Sequence, residues 1–177
     1  MIFQIGLKQK WQSKMKTLVI YYSKTGNTKY MAEKIADEAK ADIFEIQREK
    51  DIKSKGFMLY FRGGFESMTK RVPKLKQSDI SIDDYDLIFI GTPVWAWNLN
   101  PATRAFLKSA KIKNKKIGLF CCSAGSCDSI IEEMKKHLEG NEILGDVEFI
   151  EPLKNDTESY VQKAKTWTKN IIDKASS

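Results

Sequence analysis

Three cysteines, four prolines and a single histidine are found in 177 residues, and each scarcity closes off a class of protein. Cys121, Cys122 and Cys127 fall within seven positions. An odd number so closely spaced does not read as a disulfide framework, so Cys121 and Cys122 read instead as small apolar residues ending a buried strand. One histidine, His137, and no second cysteine pair leave too few ligands for a zinc site, and no metal is expected. His137 sits between Lys136 and Leu138, far in sequence from any promising loop, and reads as a surface residue. No convincing catalytic acid, base or nucleophile is visible. Apolar runs such as residues 87–90 fall far short of the roughly 20 residues a membrane helix needs, so no stable membrane insertion is expected. The N-terminus has no continuous apolar stretch of the secretory type, so a cytoplasmic protein is expected. Two glycine-rich phosphate signatures, Gly-x-x-x-x-Gly-Lys-Ser/Thr and Gly-x-Gly-x-x-Gly, are missing, which argues against a triphosphate loop and a Rossmann dinucleotide site.

What remains fits one globular domain. Hydrophobic residues make up 42% and charged residues 30% of the chain, a balance that supports a packed core. The net charge of +7 is uneven. Residues 1–14 hold three lysines and no acid, and residues 50–76 hold eight bases against two acids, which leaves the rest at −2. Such basic segments attract an acidic partner, nucleic acid or anionic lipid. Without a nucleic-acid motif they read as solvated surface, and no nucleic-acid partner is expected. A second methionine, Met15, precedes an apolar run, so residues 1–14 read as an N-terminal extension and residues 15–177 as the domain.

Apolar strands alternate with amphipathic helices from Met15 onward. Residues 17–22 and 86–91 are apolar almost throughout, as in strands buried on both faces of a parallel sheet. Residues 41–46, 116–121 and 147–150 supply three more strands. Helices are expected after residue 28, from Asn100-Pro101, over 128–138, where Ser129 and Glu132 have capping-box spacing, and over 155–175. This βαβ pattern predicts a three-layer, doubly wound, five-stranded parallel sheet. Residues 49–81 are the one irregular excursion.

In such a sheet, ligands bind beyond the carboxyl ends of the strands. Three loops there stand out. Ser23, Lys24, Thr25, Gly26, Asn27 and Thr28 offer hydroxyls, an amide, a glycine and no acid at the start of a helix, which suits a phosphate. Pro93, Val94, Trp95, Ala96 and Trp97 bring two indoles on which a flat ring could stack. Ser123, Ala124, Gly125, Ser126 and Cys127 are small enough to let backbone N–H groups reach that ring. The second and third loops carry no acid before Asp128. A ligand that carries negative charge would meet no repelling carboxylate from these two loops.

Ser23-Lys-Thr-Gly-Asn-Thr28 after a first apolar strand resembles the flavodoxin phosphate loop. Gly91-Thr-Pro-Val-Trp95 with Asn100-Pro101, and Phe120-Cys-Cys-Ser-Ala-Gly-Ser126, resemble the second and third flavin loops of that family. The resemblance runs from Met15 to the C-terminus. It implies the flavodoxin-like fold with strand order 2-1-3-4-5, and FMN as cofactor. It implies the phosphate on residues 23–28, and the ribityl chain and isoalloxazine among residues 93–97 and 123–127. It further implies an electron-transfer protein served by a redox partner protein. The alternative is an FMN-dependent oxidoreductase acting on NAD(P)H or quinones. Three departures shift weight toward the broader flavodoxin-like family, some of whose members are reductases: the chain is basic where electron carriers are acidic, its third loop has no tyrosine, and the excursion over residues 49–81 lengthens it. Oligomeric state is left open.

Overall fold

The computed structural model describes residues 15–50, 65, 72–77 and 80–177. The extension expected over residues 1–14, most of the 49–81 excursion and most of its basic residues lie outside the described residues.

Residues 17–21 form β1 (Thr17–Tyr21), buried at every position. The chain then passes through α1 (Asn27–Ala39), β2 (Asp42–Glu45) and a 3-10 turn at Ile82–Asp84. Next come β3 (Leu87–Trp95), β4 (Asn98–Leu99) and α2 (Pro101–Ala110). The last elements are β5 (Lys116–Ser123), α3 (Asp128–His137), β6 (Glu142–Ile150) and α4 (Thr157–Ser176). Five strands pair in parallel in the order β2-β1-β3-β5-β6, and β4 folds back antiparallel on β3. Counting parallel strands alone, this is the expected 2-1-3-4-5 order.

Alternation along the strands splits the core in two. Leu18, Ile20, Ile88, Ile90, Leu119 and Cys121 face α2 and α3, packing against Ala102, Phe106, Ile130 and Met134. Val19, Leu87, Phe89, Phe120 and Cys122 face α1 and α4, packing against Met31, Ile35, Ala164 and Ile171. Gly91 is required on that second face: a Cβ there would lie 2.0 Å from Cζ of Phe120, whose ring covers it.

Local expectations shift at four places. The strand expected to end at Gly91 runs on to Trp95 and turns into a hairpin. The final strand starts at Glu142, five residues early; as an edge strand paired only to β5, it tolerates Glu142 and Asp146 on its open side. α3 begins at Asp128, with Cys127 as an N-cap that makes no side-chain cap bond, so Ser129 falls inside the first turn and caps nothing. α4 begins at Thr157, capped by the Asp156 carboxylate on the Ser159 N–H at 3.1 Å. Asn100 behaves as expected, accepting from the N–H groups of Ala102 and Thr103, with Pro101 as the first helical residue. Among the described residues no helix is long and apolar enough to cross a membrane.

Candidate functional site

Tyr21, Gly91 and Phe120 lie level across β1, β3 and β5, and Val147 on β6 continues the row. The three loops singled out from the sequence therefore leave the same carboxyl edge of the sheet. Between strands β1 and β3 the strand order reverses, because β1 is flanked by β2 on one side and β3 on the other. A crevice at such a point is the usual ligand position in an open α/β sheet.

Residues 23–28 turn sharply from β1 into α1. Gly26 is the N-cap, at φ 96°, a left-handed conformation that disfavours any side chain, and no side chain caps the helix. Its N–H donates to Ser23 Oγ at 3.2 Å. Ser23, Lys24, Gly26 and Asn27 are half-buried and Thr25 is exposed, whereas Thr28 is buried with its hydroxyl beside the Cys122 thiol. Thr28 is thus available through its backbone alone. Of the four α-helices among the described residues, α2 and α4 have side chains of their N-cap residues as caps; the N-cap residues of α1 and α3, which follow the first and third loops, make no such bond. An uncapped helix start beside hydroxyls offers the hydrogen-bond donors and the positive dipole end that an anion needs.

The second region is the β3–β4 hairpin. Ala96 (φ 46°) and Trp97 (φ 57°) occupy the two turn positions, both left-handed. Two-residue hairpin turns demand this geometry and normally recruit Asn-Gly. Placing Ala and Trp there costs about 1–2 kcal/mol per residue. The two indoles part company. Trp95 is half-buried and meets Tyr22 edge-on, ring centroids 6.0 Å apart, while Trp97 is 87% exposed at the hairpin tip. Pro93 and Val94 are half-buried in the strand.

The third loop holds the chief correction to the sequence reading. Cys121 and Cys127 are joined in a disulfide, Cα atoms 6.2 Å apart, and only Cys122 is free. The sequence hid this because the pair encloses a single loop, and alternation places Cys121 on the face from which Cys127 approaches. Cys122 points to the other face, and burial pushes its thiol up to about 12, so it is inert as a nucleophile. Ala124, Gly125 and Ser126 are exposed, Ser123 and Cys127 buried. Ser123 Oγ hydrogen-bonds the Gly125 carbonyl and accepts from the Gly125 N–H, tightening the turn.

Two contributors were missed from the sequence, both from the end of β6. Glu148 Oε2 accepts from the Cys127 N–H at 3.2 Å, bringing a carboxylate to a loop that has none of its own before Asp128. The Leu153 N–H donates to Asn27 Oδ1 at 3.1 Å, so the segment after β6 braces the first loop. The only signal was topological: the last strand's exit shares the carboxyl edge. His137 is half-buried at the last turn of α3, 4.0 Å from Glu133, and takes no part in the three loops.

Known proteins resemble this chain in sequence and in fold. The sequence profile of the flavodoxin family matches residues 16–170. A flavodoxin-like domain-containing protein, BilS of Clostridioides difficile, is 36% identical over 137 residues, 74% of this chain; the chain spans 63% of that relative's length. A flavoprotein from Lactobacillus acidophilus, crystallised in complex with FMN, superposes with a TM-score of 0.66 at 27% identity, over 82% of this chain and 99% of that one. A flavodoxin from the domain Archaea shares the fold at 18% identity, TM-score 0.58, over 92% of this chain and all of that one.

Proposed function

Because this chain belongs to the flavodoxin family, we propose that it binds FMN non-covalently at the carboxyl edge of its sheet and relays electrons between partner proteins. The observation that carries this reading is the uncapped start of α1, where left-handed Gly26 turns a loop of hydroxyls, free of carboxylates, onto the helix N-terminus. A dianionic phosphate monoester fits that seat by charge, by hydrogen-bond donors and by the close approach glycine allows.

In this reading Ser23, Lys24, Thr25, Gly26, Asn27 and Thr28 hold the phosphate, Thr28 through its main chain. Pro93, Val94, Trp95, Ala96 and Trp97 line one side of the ring, with exposed Trp97 the stacking surface and Trp95 its support. Ser123, Ala124, Gly125, Ser126 and Cys127 line the other, through backbone N–H groups. Bound FMN supplies reversible one- and two-electron chemistry; the protein orients it and sets its electrostatic surroundings. Relay fits better than catalysis because the titratable groups near the described loops are otherwise engaged: His137 is remote, the Cys122 thiol is held protonated and the Glu148 carboxylate accepts from the Cys127 N–H.

The test is a flavin titration followed by anaerobic reduction. The purified protein should turn yellow with FMN, stay oxidised with NADH or NADPH, and bleach with dithionite or a partner reductase. Rapid bleaching by pyridine nucleotide alone would make it an FMN-dependent oxidoreductase instead. Failure to take up FMN at high concentration would remove the phosphate-seat reading.

A further inference from the structure

The disulfide closes the same loop that the preceding section places against the flavin ring. We propose that Cys121–Cys127 is a thiol–disulfide redox site whose state sets how tightly this loop holds FMN, its co-reactant being a dithiol. The inference rests on the FMN reading above.

Three observations carry it. First, the bond ties the two ends of the loop. Cys121 lies in the central strand β5 and Cys127 is the N-cap of α3, six residues on. Between them only Ala124, Gly125 and Ser126 are exposed. Once the bond opens, those backbone N–H groups are held by hydrogen bonds alone: the turn at Ser123, the tie from the Glu151 N–H to the Ser123 carbonyl, the Ser126–Asp128 pair and the tie from Cys127 to Glu148. A loop with fewer constraints loses more freedom on binding and binds more weakly. Second, the pair is isolated from the remaining thiol. Cys122 sits on the opposite face of β5, 4% exposed, so exchange cannot migrate to it. Third, both bonded cysteines are buried, Cys121 at 0% and Cys127 at 1% exposure. A reductant reaches them only when the loop opens, and a ring seated on residues 124–126 opposes that opening.

The chemistry balances. One thiolate of the dithiol attacks a sulfur of the pair, the S–S bond breaks and a mixed disulfide forms. The second thiol of the reductant displaces the protein sulfur and leaves as a disulfide. The pair ends as two thiols, having gained two electrons and two protons; the dithiol has lost both. Linkage makes the effect reciprocal: if the closed pair favours FMN, FMN favours the closed pair.

The experiment uses the full chain stripped of flavin, with and without dithiothreitol, reading flavin fluorescence for affinity and alkylation mass for thiol count. Never-reduced protein should show one alkylated cysteine after denaturation and reduced protein three. Reduction should raise the FMN dissociation constant by about tenfold. Saturating FMN should slow the appearance of the two new thiols by a similar factor. The double variant Cys121→Ser/Cys127→Ser should bind like the reduced protein and ignore dithiothreitol. Three alkylated cysteines in never-reduced protein, or dissociation constants agreeing within about twofold, would overturn the proposal. Equal binding in both states sinks the coupling and leaves the FMN reading intact. Absence of binding in both states sinks the FMN reading and the coupling together, while the thiol count still reports on the disulfide.

Discussion

The two faces of the sheet share their strands and differ in what they bury. The face under α1 and α4 is filled by aliphatic and aromatic side chains, with the hydroxyls of Thr17, Tyr21, Thr28 and Thr168 and the Cys122 thiol among its buried polar groups. The face under α2 and α3 buries a disulfide, a hydroxyl pair (Thr92 to Thr103, 3.0 Å), the Asn100 cap and the guanidinium of Arg104. Arg104 is 2% exposed and donates through Nε to Glu133 Oε1 at 2.9 Å, while Nη1 and Nη2 have no hydrogen-bond partner among the described residues. Apolar burial needs only shape, but buried charges and cross-links depend on a partner, on pH or on redox state. The second face therefore holds the buried charge and the cross-link, and it carries the hairpin and the third loop.

The largest expected effect belongs to the apolar face. Gly91→Ala forces a methyl into the Phe120 ring, with no room to yield in a fully buried site. A loss of about 3 kcal/mol in urea unfolding is expected; a loss below a third of that would mean the face is more plastic than its packing shows.

Next, Glu133→Ala should cost about 2 kcal/mol, because it strands the Arg104 charge; the figure is held down by Glu133 being 30% exposed. Adding Arg104→Met should restore most of that loss, since the charge needing a partner is gone. If the double variant is no better than the single one, Arg104 earns its place by something other than this pair.

Smaller in stability but decisive for function, Trp97→Ala should leave unfolding unchanged, the side chain being 87% exposed. FMN affinity should fall about five- to tenfold, the worth of one aromatic stacking contact. Unchanged affinity would place the ring elsewhere.

The smallest effect is in pH. Desolvation, with Lys108 and Arg104 adding repulsion, outweighs Glu133 and holds His137 below its ordinary value. The unfolded chain then takes up a proton that the folded one resists, so stability is present above pH 6.5 and declines as pH falls through that value. The decline should be modest and should vanish in His137→Gln; a rise in stability on acidification would show that Glu133 dominates instead.

Much of this was written in local pattern. The runs 17–21 and 87–90 are apolar on both faces, and only a parallel sheet covered by helices buries such strands twice. Asn100-Pro101 announced a helix start through the cap amide and the missing N–H. The turn of residues 23–28 into α1 was legible because hydroxyls, glycine and a following helix are contiguous in sequence. Ser129 and Glu132 misled, since capping spacing is common and the true start is set by where Cys127 is anchored.

What the sequence by itself determined was the alternation of strand and helix, and hence the five-stranded sheet with three loops at its carboxyl edge, because burial period and capping are local properties. Only the tertiary structure decided the rest. It paired Cys121 with Cys127 through strand alternation, carried Leu153 and Glu148 from the far strand to the first and third loops, and separated a half-buried Trp95 from an exposed Trp97 by extending β3 into a hairpin. Each of these depends on which residues distant in sequence become neighbours, and no local pattern encodes that.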